Sequence, residues 1–228
     1  MKRALALAVA GLVVAAGTAV MAQQHGTGGQ GGHAPDHMEH SFADAERYAK
    51  SFDDPARDAW QMPDRVVAAL GLKAGQSVAD IGAGTGYFSV RLAKSAAKPK
   101  VFAVDIEENM VEYIRHRAMR EGLSNITAVK AGADRTNLPE PVDAVLIVDT
   151  YHHIPNRVAY FTALKSLLKP GARLAIVDFK KDAPGEGPPK EFRFTPDQIS
   201  AELAQAGFAL QAQHDFLPRQ MYLIYSVK

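Results

Sequence analysis

Between Leu146 and Asn156 the chain reads LIVDTYHHIPN, an apolar run followed by a carboxylate, a phenol and two imidazoles at Asp149, Tyr151, His152 and His153. Such a set can move a proton near neutral pH, because imidazole titrates there and an adjacent acid orients the ring or raises its pKa. It can also offer nitrogen and oxygen to a metal, but no second spaced cluster completes a ligand set, and no catalytic metal is expected. The third reading is that these side chains shape a pocket. Consecutive residues seldom point into one small volume, so at most one histidine is expected to face a substrate, with His152 preferred over His153.

A second constellation lies upstream, in VADIGAGTG. An apolar strand at Ser77 to Ile81 runs into a turn where Gly82, Gly84 and Gly86 remove Cβ atoms, and a helix is expected from about Tyr87. Such a turn lets backbone approach a ligand closely, and the helix start offers unpaired amides. A second strand, KVFAVD, ends at Asp105, where an acid can accept from both hydroxyls of a ribose. A dinucleotide fingerprint requires G-x-G-x-x-G, but its last position falls on Tyr87 counting from Gly82 and on Ser89 counting from Gly84. Asp80 precedes the turn and can approach a cationic amino group, which suits a zwitterionic amino-acid tail better than a pyrophosphate.

Taken in order, VADIGAGTG, VFAVDIE, AGADRTNLP, VDAVLIVDTYHHI and LKPGARLAIVDF resemble the successive motifs of class I S-adenosylmethionine-dependent methyltransferases. The likeness extends from about Val66 to Lys228 and is closest to small-molecule methyltransferase-domain proteins of bacteria, including an exported subgroup with similar DDPARDAW and LPRQMYLIYS stretches. It implies S-adenosyl-L-methionine as cofactor, lined by Asp80, Gly82, Gly84 and Gly86, with Asp105 on the ribose and Ile106 against adenine. Ala133 and Asp134 would meet the adenine edge, and Asp149 the methionine portion. Tyr151 and His152 would then lie beside the reacting methyl as candidate catalytic groups. Trp60, His152, His153 and Arg219 are candidates for substrate contact; Arg219 suits a carboxylate or phosphate, with a surface ion pair to Asp215 as the rival reading. Arg57, Asp178, Lys180 and Gln220 are further polar candidates.

These residues need a scaffold that gathers strand ends. The resemblance implies an α/β fold, a Rossmann-like, seven-stranded, mostly parallel sheet with helices on both faces and a reversed strand in the C-terminal hairpin. The apolar runs NITAV, DAVLIV, ARLAIVDF, FALQAQHDF and MYLIYSV supply the later strands. Helices are expected at Asn109 to Glu121, Asn156 to Leu168 and Pro196 to Ala206, the last with Thr195 as cap and Gln198 completing a capping box. EGL and KPG provide breaks. Ahead of the first strand, residues 41–70 read as two helices separated by DDP.

The beginning of the chain is of another kind. Residues 1–22 carry Lys2 and Arg3, then an Ala- and Val-rich apolar run, then small residues, and read as a secretory signal peptide; an uncleaved anchor is the alternative. Residues 23–40 combine glycine with His25, His33, His37 and His40 and read as a flexible tether, leaving 71–228 as the catalytic domain. Removing the leader takes two bases and no acid, turning 26 basic and 25 acidic residues into 24 and 25, a formal charge of −1. That balance excludes a basic nucleic-acid-binding surface as the organising feature. The chain has no cysteine, hence no disulfide framework and no protein thiol chemistry. The reading is therefore a small-molecule methyltransferase, located in the periplasm after leader cleavage and without stable membrane insertion. An exported, non-catalytic binder of adenosine compounds is the alternative, followed by a NAD-dependent oxidoreductase. Oligomeric state is not legible.

Overall fold

A computed structural model describes residues 44–185 and 187–228. The leader and tether readings lie outside the described residues. The strands are β1 (Ser77–Ile81), β2 (Lys100–Asp105), β3 (Ile126–Lys130), β4 (Val142–Val148), β5 (Leu168–Phe179), β6 (Phe208–His214) and β7 (Gln220–Val227). They form a seven-stranded sheet of order β3-β2-β1-β4-β5-β7-β6. From β3 to β5 every pairing is parallel, and β7 runs antiparallel to both β5 and β6.

A sheet covered on both faces needs strands that are apolar on both faces, and every residue of β1 is buried. The helices are α1 (Ala45–Phe52), α2 (Asp58–Gln61), α3 (Pro63–Leu70), α4 (Tyr87–Lys94), α5 (Glu108–Arg120), α6 (Arg157–Leu164) and α7 (Pro196–Gln205). Strand alternation divides the core. Ile81, Ile147 and Ile176 pack with Phe161 of α6 and Leu203 of α7, whereas Val78, Leu146 and Val177 pack with Val66 and Leu70 of α3 and Leu92 of α4. By the same alternation Asp80 lies on the α4 side, where Ser89 donates to it at 2.6 Å.

Three local expectations are revised. The second N-terminal helix is broken into α2 and α3, because Pro63 has no amide hydrogen and bars its predecessor from the right-handed helical region; Met62 takes φ 43°. The helix expected at Asn156 to Leu168 ends as α6 at Leu164 and continues as a 3₁₀ turn over Lys165–Leu167. The KPG stretch does not precede β5 but lies inside it, where the register with β4 shifts between Val142 and Ala144. The capping box forms as read, Thr195 accepting from the Gln198 amide at 3.2 Å and Gln198 Oε1 from the Thr195 amide at 2.8 Å. Among the described residues no helix is long and apolar enough to cross a membrane.

The cap gives a direct check on α7. Thr195→Ala is expected to lower unfolding stability by about 1 kcal/mol in urea titration, with cofactor affinity unchanged.

Candidate active site

All parallel strands end on one side, and a cavity of about 910 Å³ opens there. This is where open α/β sheets receive ligands. The turn after β1 is fastened to β2: the Gly82 and Ala83 amides donate to the Val104 carbonyl at 2.8 and 3.0 Å, and the Gly84 amide donates to Asp105 Oδ2 at 2.8 Å. The other carboxylate oxygen of Asp105 accepts from the Glu107 amide at 2.9 Å. Two positions demand glycine. At Gly82, φ is 75° and a Cβ would lie 2.2 Å from Thr150 Oγ1; at Gly84, φ is 56° and a Cβ would meet the Phe52 ring at 3.2 Å. Gly86 caps α4 behind the cavity wall rather than lining it.

Acids dominate the cofactor side. Asp80, Asp105 and Asp149 all line the cavity. Burial pushes the Asp80 carboxyl up to about 7, with the Ser89 hydrogen bond opposing and the Asp105 charge adding. Asp105 is likewise raised by burial, against the pull of its backbone donors. Asp149 is raised to about 6 by burial and by the neighbouring Asp178 charge, with Arg57 and His152 opposing. Negative charge gathered in low-dielectric surroundings disfavours an anion and favours a cation. The group implied by the family, a sulfonium zwitterion with a ribose, therefore fits: the carboxylates face the cavity, the glycines leave room for it, and Ile106, 53% exposed, presents an apolar surface at the rim.

The acceptor side centres on His152. Parallel pairing sets Val148 beside Val177, so the turn after β4 lies against the end of β5. His152 Nδ1 there lies 3.0 Å from both carboxylate oxygens of Asp178. Both side chains are nearly inaccessible, 4% each. Burial alone would lower the imidazole pKa, but the Asp178 charge and hydrogen bond, helped by Asp149, outweigh it, and the ring titrates above its ordinary value. With Nδ1 held by the carboxylate, Nε2 is left for a ligand. His153 also lines the cavity, its ring centre 4.3 Å from that of His152. The expectation that only one histidine faces the site is thereby revised: Tyr151–His153 form a 3₁₀ turn, which carries both rings to the same wall.

Tyr151 is placed elsewhere. It is fully buried, stacks with Phe161 at 5.7 Å and donates its hydroxyl to Glu202, which also holds Arg157. Burial and the Glu202 bond push its pKa far up, so it serves the core and not the cavity. Asp134 also stays out: its side chain is 85% exposed and faces Arg135 at 3.8 Å, while Ala131, Gly132 and Ala133 line the wall.

The N-terminal segment forms the roof. Asp53 accepts from Thr85 Oγ1 at 3.0 Å and from Arg117 at 2.7 Å, and Asp58 accepts from Arg91 at 2.8 Å and from the Tyr87 hydroxyl. Gln61 is fully buried, accepts from Arg57 Nε at 2.9 Å and donates to Asp149 Oδ2 at 2.9 Å; Gln220 donates to Oδ1 of the same acid. Asp149, at φ 51°, thus ties the roof to β4 and β7 while lining the cavity. Trp60 meets Phe179 at 5.8 Å, and Arg219 Cζ lies 5.2 Å from the Trp60 ring centre. Sequence reasoning missed Phe52, Gln61 and Phe179 as lining or positioning groups, and it left Asp178 unpaired. For Asp178 a signal existed, an acid ending the strand next to the one that carries the histidines. For Gln61 there was none.

A family model described as a methyltransferase domain matches residues 72–214. The 27-O-demethylrifamycin SV methyltransferase of Amycolatopsis mediterranei is 34% identical over 122 residues, 52% of this chain and 44% of the relative. The demethylmenaquinone methyltransferase of Tropheryma whipplei is 33% identical over 110 residues, 48% of this chain and 44% of the relative. The match thus spans less than half the length of either relative. Among solved structures, a SAM-dependent methyltransferase from Aquifex aeolicus superposes with a TM-score of 0.74 at 30% identity, covering 81% of this chain and 99% of that one.

The raised carboxyl of Asp80 has a thermodynamic signature. Its ordinary value is 3.8 and its folded value about 7, so between those pH values the fold retains a proton that the unfolded chain has released, and stability falls as pH rises. Asp80→Asn keeps an acceptor for Ser89 and removes that penalty. Without ligand, the variant is expected to exceed the parent in urea stability at pH 8 by on the order of 2 kcal/mol, with the difference vanishing below pH 4.

Proposed function

The chain belongs to the S-adenosylmethionine-dependent methyltransferase domain family, and from that premise we propose that it moves a methyl group from S-adenosylmethionine to a small acceptor held beside His152. The observation that carries this reading is the meeting, in one cavity, of acids suited to a cationic cofactor with a buried His152–Asp178 pair. The cofactor supplies an activated methyl on a sulfonium, so its carbon–sulfur bond breaks as the acceptor's bond to that carbon forms. The protein's part is alignment in a site shielded from water.

Asp105, its carboxylate kept in place by backbone donors, would hold the ribose hydroxyls. Asp80 faces the cationic tail. An acceptor with a hydroxyl hands its proton to His152 Nε2, and Asp178 steadies the imidazolium that results. The relatives are named for small organic acceptors, demethylrifamycin and demethylmenaquinone, which supports a small molecule over a macromolecule. Export is part of the proposal: the mature chain is expected to begin at Gln23 in the osmotic-shock fraction, whereas full-length chain in membranes would favour the anchored alternative.

Incubation of the protein with methyl-labelled S-adenosylmethionine and a periplasmic extract is expected to label small molecules. Labelled product absent despite cofactor binding would leave a binding protein. On the labelled acceptor, His152→Ala is expected to lose roughly 10²–10³-fold in turnover with cofactor affinity retained. Because the base is the neutral ring and its pKa is raised above 6.5, the rate should climb with pH through a midpoint above 6.5. In Asp178→Asn that midpoint moves to lower pH. An unmoved midpoint would remove His152 from the proton transfer.

A further inference from the structure

The acceptor half of the cavity is built by elements that do not hold the cofactor: Trp60 of α2, Phe179 closing β5, Pro188 and Pro189 in the following loop, and Arg219 just before β7. Trp60 and Phe179 present flat apolar surfaces, their ring centres 5.8 Å apart and tilted by 38°. The Arg219 guanidinium lies over the Trp60 ring at 5.2 Å and also packs on Gly185, where a Cβ would stand 3.4 Å from Cζ. Arg57, the other arginine lining the cavity, is engaged by Gln61, by the Phe52 carbonyl and by Asp149 at 4.0 Å. Arg219, by contrast, makes no ion pair with a carboxylate among the described residues; the rival reading, a pair with Asp215, is not formed.

A guanidinium that lies over an indole and pairs with no carboxylate among the described residues can receive a planar anion, since its forked donors match a carboxylate. Charge also sets the direction of binding. Asp149 and Asp178 surround His152, where a second carboxylate would be repelled, whereas Arg219 over the Trp60 ring lines the same cavity and attracts one.

We propose that Arg219 and Trp60 select a hydroxylated aromatic carboxylic acid as methyl acceptor, its carboxylate on Arg219, its ring against Trp60 and Phe179, and its hydroxyl turned to His152. The proposal rests on the methyltransferase reading and names the acceptor of that same site. Bond changes are those already given: the hydroxyl oxygen gains the methyl, its proton passes to His152 Nε2, and a thioether leaves.

The test uses hydroxylated benzoates, cinnamates and naphthoates, each paired with its neutral carboxamide, titrated calorimetrically into the protein saturated with S-adenosylhomocysteine. The best acid is expected to bind at least about tenfold more tightly than its amide. Arg219→Gln should bring that ratio to about one while leaving S-adenosylhomocysteine affinity unchanged, and Trp60→Leu should weaken acid and amide together. Equal affinity within every pair, or no aromatic binding in a protein that does bind S-adenosylhomocysteine, overturns the acceptor assignment alone. Failure to bind S-adenosylhomocysteine overturns the cofactor reading and the acceptor assignment with it.

Discussion

The site depends on the burial of carboxylates that are held mainly by hydroxyl and amide donors rather than by close cations. Asp80 has a hydroxyl donor, Asp105 has backbone amides, and Asp149 has two side-chain amides with Arg57 no nearer than 4.0 Å. A close lysine or arginine would have stabilised the empty protein and competed with a cationic ligand. Amides and hydroxyls instead orient the acids without cancelling their charge, so compensation is left to whatever enters. The glycine turn, the parallel strand ends and the roof all serve that arrangement.

Asp149 joins the two halves of the cavity. Its oxygens receive Gln61 from the roof and Gln220 from β7, and its charge helps raise the His152 ring that Asp178 orients. Roof position, cofactor charge and proton affinity of the base are therefore coupled through one carboxylate. The coupling also explains why a polar residue such as Gln61 is fully buried on a short helix. The price of that burial is met by hydrogen bonds to two charged neighbours, Arg57 and Asp149.

What the sequence disclosed follows the range of the forces involved. Sheet class, strand positions, the glycine turn and Asp105 were legible because strand, turn and terminal acid are contiguous, and so was the Thr195 cap. The break at Met62 was missed although its cause, Pro63, is local; two helical patterns that run together hide it. Asp178 was legible as an acid at a strand end, but its pairing with His152 was not, since that needs β4 and β5 in register across an intervening helix. Tyr151 was assigned to the cavity by adjacency to histidine, yet the 3₁₀ turn rotates it into the core toward Glu202. Trp60 and Arg219 were separate candidates, and only the docking of the roof brings them together.

The central claim is that the cavity is built for a cationic cofactor by buried acids, among which burial raises the Asp80 carboxyl to about 7. Its most direct test is calorimetric titration of S-adenosylmethionine at pH 7 in buffers of different ionisation enthalpy, which counts protons exchanged on binding. Release of a substantial fraction of a proton is predicted, because the ligand's charge returns Asp80 to its ionised form, and Asp80→Asn should abolish most of it. Binding with no proton release, or binding of NAD with no response to S-adenosylmethionine, would contradict the account.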